Sequence, residues 1–566
     1  MHYVPDNPLI VQSDHSILLE TSGDKFAPAR DVLARFAELV KSPEYVHTYR
    51  LTDLSLWNGA ASGLTPEWVV EQLRCWSKYP LPHGVSVYVE DMMGRYGRLR
   101  LVPGDSEEFF ILEADTALRM KEVRGSRGIK KLLGTRVDDC HYRVATTLRG
   151  ELKQALVKVG HPAQDLAGYT DGASLDLELR TPDITGRAWA LRDYQKNAVA
   201  AFMGGHVETG MPGEGGSGVI VLPCGAGKTI VGLTVLARLG MSTLILCTNT
   251  TALRQWRAEI LARTTLDPDQ VGEYSGSSKK VCPVTLSTYQ MLTHRRTKGG
   301  PFTHFGLFDA EDWGLIVYDE VHLLPAPVFR TVASIQARRR LGLTATLVRE
   351  DGRQGDVFAL IGPKRFDVPW RDLESTGWIA TAECIEVRVE MSRAERLEYA
   401  GLDDRERYRL ASTTPAKLPV VKQLLARHAG ERLLVLGMYL DQLRALAEVL
   451  DAPLITGETR QAERDRLFAA YRAGEIQILV ISRVGNFSVD LPDASVAIQV
   501  SGSWGSRQEE AQRLGRVLRP KADDNRAWFY TIVCRESVEQ TFAERRQRFL
   551  TEQGYRYSIE TMDGHE

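Results

Sequence analysis

Val221 to Thr229 read VLPCGAGKT, and these residue types at this spacing fit the handling of a polyphosphate. Gly225 and Gly227, with Ala226 between them, let backbone N–H groups close around phosphate oxygens, and the positive end of the following helix adds to the attraction. Lys228 is spaced to reach terminal phosphates, and the Thr229 hydroxyl is a hard oxygen donor suited to Mg²⁺. The general GxxxxGK[ST] pattern has a glycine where this chain has Leu222, so a tight structural turn is the alternative reading. Further on, LIVYDEVH delivers Asp319 and Glu320 at the end of an apolar run, where open α/β sheets place their sites. Asp319 suits a metal shell, and Glu320 can orient and deprotonate an attacking water; in isolation the pair would be a solvated strand end. In QRLGRVLRP, Arg513, Arg516 and Arg519 recur every three residues, along one flank of a helix. Arginines that face a nucleotide held by another domain stabilise charge on a transferring phosphoryl group, whereas an exposed basic helix would do no chemistry. A last cluster, Arg349, Glu350 and Asp351, follows the buried run LGLTAT directly.

Such residues need strands to carry them. After about residue 183, short β-branched runs alternate with helical patterns: GVIVLP, TLILC, PVTLST, LIVYDE and LGLTAT, then RLLVLG, IQILVIS, ASVAIQV and AWFYTIV. Continuous apolar strands separated by amphipathic helices imply parallel sheets covered on both faces. The class is α/β, with two such sheets over 183–378 and 379–566, dividing near ESTGWIA. Residues 1–105 read as helices followed by a little β structure, either a winged-helix-like module or a purely structural helical domain. There Thr65 caps a helix with Pro66 at its first position, and Trp68, Val69, Leu73 and Trp76 form its stripe. Over 106–182, Leu148, Leu152, Leu156 and Val159 share one face of a helix that Gly160 and Pro162 end. The nearby basic cluster RGSRGIKK is expected to be a solvated face, and Gly204–Gly218 a surface loop.

The 566 residues carry a formal net charge of −2, so a polyanion partner must be held by a local groove rather than by the field of the whole molecule. The 7 cysteines are scattered singly with no metal-ligand spacing, which fits a reducing compartment and argues against zinc or iron–sulfur sites. The amino terminus lacks the pattern of a signal peptide, and no apolar run approaches the ~20 residues a bilayer span needs. A cytoplasmic protein without a membrane partner is expected.

Together the motifs resemble those of a superfamily-two helicase, two RecA-like parallel-sheet motor domains with ATP between them. LRDYQKNAV is similar to the segment whose glutamine, here Gln195, reads adenine. TNTTALRQW and STYQML are similar to nucleic-acid-contacting motifs of the first lobe, and Thr344 to Thr346 to the coupling motif. RVGNFSVDLP resembles the fifth motif, with Gly485 and Asp490 at its functional positions. His322 completes a DExH box and by this resemblance links nucleotide state to Thr344 and Thr346. Gln512, Arg516 and Arg519 then join Lys228 and Glu320 as catalytic residues, and a glycine at 222 is commonly missing in this superfamily.

Within it, Arg349-Glu350-Asp351 resembles the RED motif of the XPB family, thought to help separate strands. LIGPKRFDVPWRDLESTGWIA and AERRQRFLTEQGYRY match the same family. The resemblance implies an ATP-driven DNA helicase of 3′-to-5′ polarity opening duplexes in repair. It uses ATP with Mg²⁺ (or Mn²⁺) and acts on single-stranded tails and duplex junctions, with a nuclease as a candidate partner. It also implies a damage-recognition-like module over 106–182 and a short thumb-like insertion near 391–417. The alternatives are a double-stranded DNA translocase, an RNA helicase, and an ATP-gated DNA-binding scaffold.

Overall fold

The computed structural model describes residues 3–41, 45–106, 108–169, 171–204, 215–223, 225–297, 302–324, 328, 338–345, 354–368, 373, 380–482, 494–502, 526–544 and 556–562. Strands β1 (Leu9–Val11), β2 (Ser16–Glu20), β3 (Glu38–Lys41) and β4 (Val46–Arg50) form an antiparallel sheet in the order β1-β2-β4-β3. The amino-terminal unit therefore opens with strands, not with the expected helices, because strands of 3–5 residues are too short to display an alternation. Helices Asp53–Ala61, Pro66–Trp76 and His83–Arg95 follow. Thr65 caps the second of these, its hydroxyl accepting the Trp68 N–H at 3.2 Å. Val69, Val70 and Leu73 are buried, whereas Trp68 and Trp76 are half-buried at the margin.

A second sheet runs β7-β6-β5-β8, from β5 (Leu99–Ser106), β6 (Phe109–Ala114), β7 (His141–Ala145) and β8 (Ala163–Asp165). Strand β5, which straddles the expected boundary at 106, finds its ladder partners in β6 and β8. Helix Arg149–Lys158 buries Leu152 and Leu156 against it. Val159 is exposed instead of joining that stripe, because it lies beyond the last turn, next to Gly160 at φ +78.

Lobe 1 is a seven-stranded sheet: β9 (Ser217–Val221), β10 (Thr243–Cys247), β11 (Val271–Tyr274), β12 (Val284–Thr288), β13 (Leu315–Asp319), β14 (Arg339–Thr344) and β15 (Lys364–Asp367). All neighbours are parallel, in the order β11-β12-β10-β13-β14-β9-β15. Ser217 and Gly218, expected in a loop, begin β9.

Lobe 2 repeats this plan with β16 (Thr381–Val389), β17 (Leu433–Leu436), β18 (Leu454–Ile455), β19 (Ile478–Ile481), β20 (Val496–Gln499), β21 (Arg526–Cys534) and β22 (Arg556–Thr561). Its order is β18-β19-β17-β20-β21-β16-β22, again parallel. Helices Arg393–Gly401 and Asp404–Thr413 occupy the stretch expected to hold a thumb-like insertion, and Tyr408 anchors them by donating its hydroxyl to Gly502 O at 2.7 Å.

Both amino-terminal units are tied to lobe 1. Asn58 Oδ1 accepts the Lys364 N–H at 2.9 Å, and the rings of Trp57 and Tyr96 meet Phe358, which covers the edge at β15. Tyr169 donates its hydroxyl to Ser217 Oγ at 2.6 Å, at the base of the strand that leads to the phosphate loop. No helix among the described residues is long and apolar enough to cross a membrane.

Candidate active site at the strand ends of lobe 1

Parallel strands point all their carboxyl ends one way, and in lobe 1 those ends gather the residues whose chemistry the sequence singled out. Beyond β9 the chain turns through Gly225 and Gly227, both left-handed at φ +80 and +79, before helix Lys228–Leu239 begins. A side chain at 227 would be strained and would bring its Cβ to 2.5 Å from Gln195 Nε2. Gln195 is buried here; its Nε2 donates to Ala226 O at 3.0 Å and its Oε1 accepts the Arg192 N–H at 3.0 Å. Tyr194 adds a hydrogen bond from its hydroxyl to the same Ala226 O at 2.8 Å. In this structure the segment expected to read adenine braces the turn at Ala226.

Lys228 Nζ lies 3.4 Å from Glu320 Oε1 and 3.4 Å from Leu222 O. Glu320 sits at φ +51, a left-handed turn straight after β13 that swings its carboxylate toward the loop. His322 Nδ1 is 2.7 Å from Thr344 Oγ1 and 3.5 Å from Glu320 Oε2. The expected link between the DExH box and the coupling strand is therefore a direct contact. Burial opposes ionisation of Glu320, yet the charges of Lys228 and His322 hold its carboxyl below the ordinary value. Asp319 goes the other way: burial, with the Glu320 charge beside it, pushes its carboxyl up to about 6. The pair is thus split into an ionised carboxylate beside a lysine and a carboxylate short of positive charge.

That shortage bears on Mg²⁺. The Thr229 hydroxyl and the Asp319 carboxylate are hard oxygen donors, and a cation beside Asp319 would offset the burial and the Glu320 charge that oppose its ionisation. The residues present fit the group. Among the described residues no cluster of three or more His, Cys, Asp or Glu forms a cage.

Two aromatic residues at the site escaped the sequence reading. Trp256, in TNTTALRQW, donates its indole N–H to Asp319 Oδ2 at 3.0 Å, and Tyr289, in STYQML, donates its hydroxyl to Asp319 O at 2.9 Å. Both belong to segments read as nucleic-acid contacts; an aromatic in each was the only signal. Thr346, Arg349, Glu350, Asp351, Gly485, Asp490, Gln512, Arg513, Arg516 and Arg519 lie outside the described residues.

Comparison with known proteins finds relatives along nearly the whole chain. Residues 373–565 match the family model described as ERCC3/RAD25/XPB C-terminal helicase, 188–349 match the type III restriction enzyme res subunit, and 9–138 match a helicase conserved C-terminal domain. A protein of Kineococcus radiotolerans named DNA 3'-5' helicase XPB is 56% identical over 99% of this chain and 97% of its own length. One of the same name from Mycobacterium tuberculosis is 53% identical over 99% of this chain and 98% of its own. Among solved structures, an ATP-dependent type ISP restriction-modification enzyme, LlaBIII, bound to DNA shares the fold with a TM-score of 0.50. It is 13% identical and covers 67% of this chain and 32% of that one. With relatives this similar along nearly its whole length, and with Lys228, Glu320, His322 and Thr344 in contact at the carboxyl ends of neighbouring strands, this chain belongs to the XPB helicase family.

Proposed function

We propose that this chain hydrolyses ATP to open duplex DNA, tracking one strand 3′ to 5′, in DNA repair. The observation that carries the reading is the convergence of Lys228 and His322 on Glu320, with Thr344 bonded behind them. Lys228 is placed to exchange its contact with Glu320 for the terminal phosphates of ATP. Glu320, held ionised, accepts the proton of the attacking water. Thr229 and Asp319 would hold Mg²⁺, which neutralises charge on the phosphates. A change of charge at Glu320 reaches β14 through His322 and Thr344, and so reaches whatever nucleic acid lies across the strand ends. Arg516, Arg519 and Gln512 complete the catalytic set when the lobes close, and Asp490 binds the nucleotide. Repair use makes a nuclease a natural partner, since opened strands are its substrate. The six cysteines among the described residues have free thiols, which fits a reducing cytoplasm.

Unwinding of 3′-tailed against 5′-tailed duplexes, with ATP and Mg²⁺ varied, tests the proposal. Opening confined to the 3′-tailed substrate is the expected result. Preference for RNA, or ATP use and movement without strand separation, would replace it with the RNA helicase or translocase reading.

A further inference from the structure

A corner of lobe 1 away from the ATP site collects positive charge. Edge strand β11 ends at Tyr274, and Lys279 Nζ lies 4.7 Å over the Tyr274 ring. Past β12, helix Tyr289–Leu292 runs into His294, Arg295 and Arg296, and a bridge between Arg295 and Phe302 turns the chain back to His304. The His294 and His304 rings are 5.8 Å apart, and His304 Nδ1 is 3.0 Å from the Tyr274 hydroxyl. Burial and then the charges of Lys279, His294 and Arg296 hold the His304 imidazole below its ordinary value. The neighbouring acids are engaged elsewhere: Glu273 accepts the Ser275 hydroxyl at 2.6 Å, and Asp269 pairs with Lys280 at 2.8 Å. Lys279, His294 and Arg296 make no ion pair among the described residues.

The corner is also built to stay in place. Arg295 lies 3.8 Å over the Phe302 ring, which stacks on Phe305 at 4.4 Å, and Phe305 meets the buried Phe308. Like-charged groups held together without a carboxylate cost free energy unless an anion covers them. The corner sits at the carboxyl ends of β11 and β12, the side of the sheet that carries Lys228, but β10, β13 and β14 separate it from the phosphate loop. That distance excludes ATP as its anion.

We propose that Lys279, His294 and Arg296 form a backbone-contact surface that extends the path of bound DNA to the outer edge of lobe 1. The inference rests on the helicase reading and deepens it. The contacts are to phosphates, so they are independent of sequence and sensitive to salt.

Lys279→Ser combined with Arg296→Ser alters only exposed side chains. Binding of a fluorescent tailed duplex without ATP, measured across a salt series, should show the slope of log K against log[salt] shallower by about 1.4–1.8, at about 0.7–0.9 per lost phosphate contact. ATP hydrolysis without DNA should be unchanged. Arg238→Ser with Lys422→Ser, exposed cations elsewhere on the two lobes, should leave the slope as in the parent. A parental slope in the Lys279/Arg296 variant, or an equal loss in the Arg238/Lys422 control, overturns the surface while leaving the helicase reading intact. A parent chain that bound no DNA at all would overturn both.

Discussion

Replacing Trp256 by Phe keeps an aromatic ring in the core and removes one hydrogen-bond donor, the indole N–H that meets Asp319 Oδ2 at 3.0 Å. A hydrogen bond to an ionised group contributes about 1.5–3 kcal/mol, and its loss falls on the ionised form of Asp319. At 1.36 kcal/mol per unit, that raises the carboxyl by about one to two pKa units above a starting point already pushed up to about 6 by burial and the Glu320 charge. The sign follows: only the ionised form is a metal ligand, so protons compete with Mg²⁺ as pH falls through the pKa. At pH 6 the variant should need roughly 5- to 50-fold more Mg²⁺ than the parent for half-saturation, and at pH 9 nearly the same amount. Mg²⁺-dependent binding of a nucleotide and ATP hydrolysis should both be titrated at the two pH values. An equal penalty at both would mean displaced geometry and not lost stabilisation of charge. No penalty at either would remove Trp256 from the site.

Glu320→Gln should bind ATP normally and lose turnover by about 10²- to 10⁴-fold, the ordinary worth of a general base, while Lys228→Ala should lose both; nucleotide binding and phosphate release measured side by side will tell. Lys417 Nζ is buried between Glu539, Val500 O and Ile532 O, so Lys417→Met should strand the Glu539 charge and cost about 3–5 kcal/mol in denaturant unfolding of lobe 2. Adding Glu539→Leu should recover most of that loss, and failure to recover would mean the site cannot repack. Alanine at Arg349, Glu350 and Asp351 together should depress unwinding more than ATP hydrolysis; equal losses in the two assays would make them an ordinary charged loop.

The strands legible in the sequence are those buried on both faces. In LIVYD and TLILC almost every side chain is covered, so an apolar run is unavoidable. Strands β11, β15 and β22 lie at sheet edges, where one flank meets solvent or another unit, and VGEY, KRFD and RYSIET carry no such run. The interior strand β16 was hidden for a different reason. Its Glu386 is wholly buried, accepting Arg388 Nε at 2.6 Å and the Tyr557 hydroxyl of β22 at 2.8 Å. A charge in the middle of TAECIEVRV reads as exposure until a partner far along the chain is known to cover it.

The same limit governs the site. Lys228, Asp319, Glu320 and His322 were legible because each sits at a fixed offset from the end of a strand, and local spacing carries that information. Trp256 was not. With Leu253 and Ile260 it forms the buried stripe of helix Thr250–Arg263, a position any large apolar residue could fill, while Arg254 and Gln255 face solvent. What brings its indole to Asp319 is that β10, the strand this helix follows, pairs directly with β13, the strand ending in Asp319. That adjacency comes from the crossover order of the sheet and leaves no mark on the residues around 256. Its consequence is that one helix offers polar side chains outward and a donor to the Asp319 carboxylate inward, so a shift of that helix is felt at Asp319 directly.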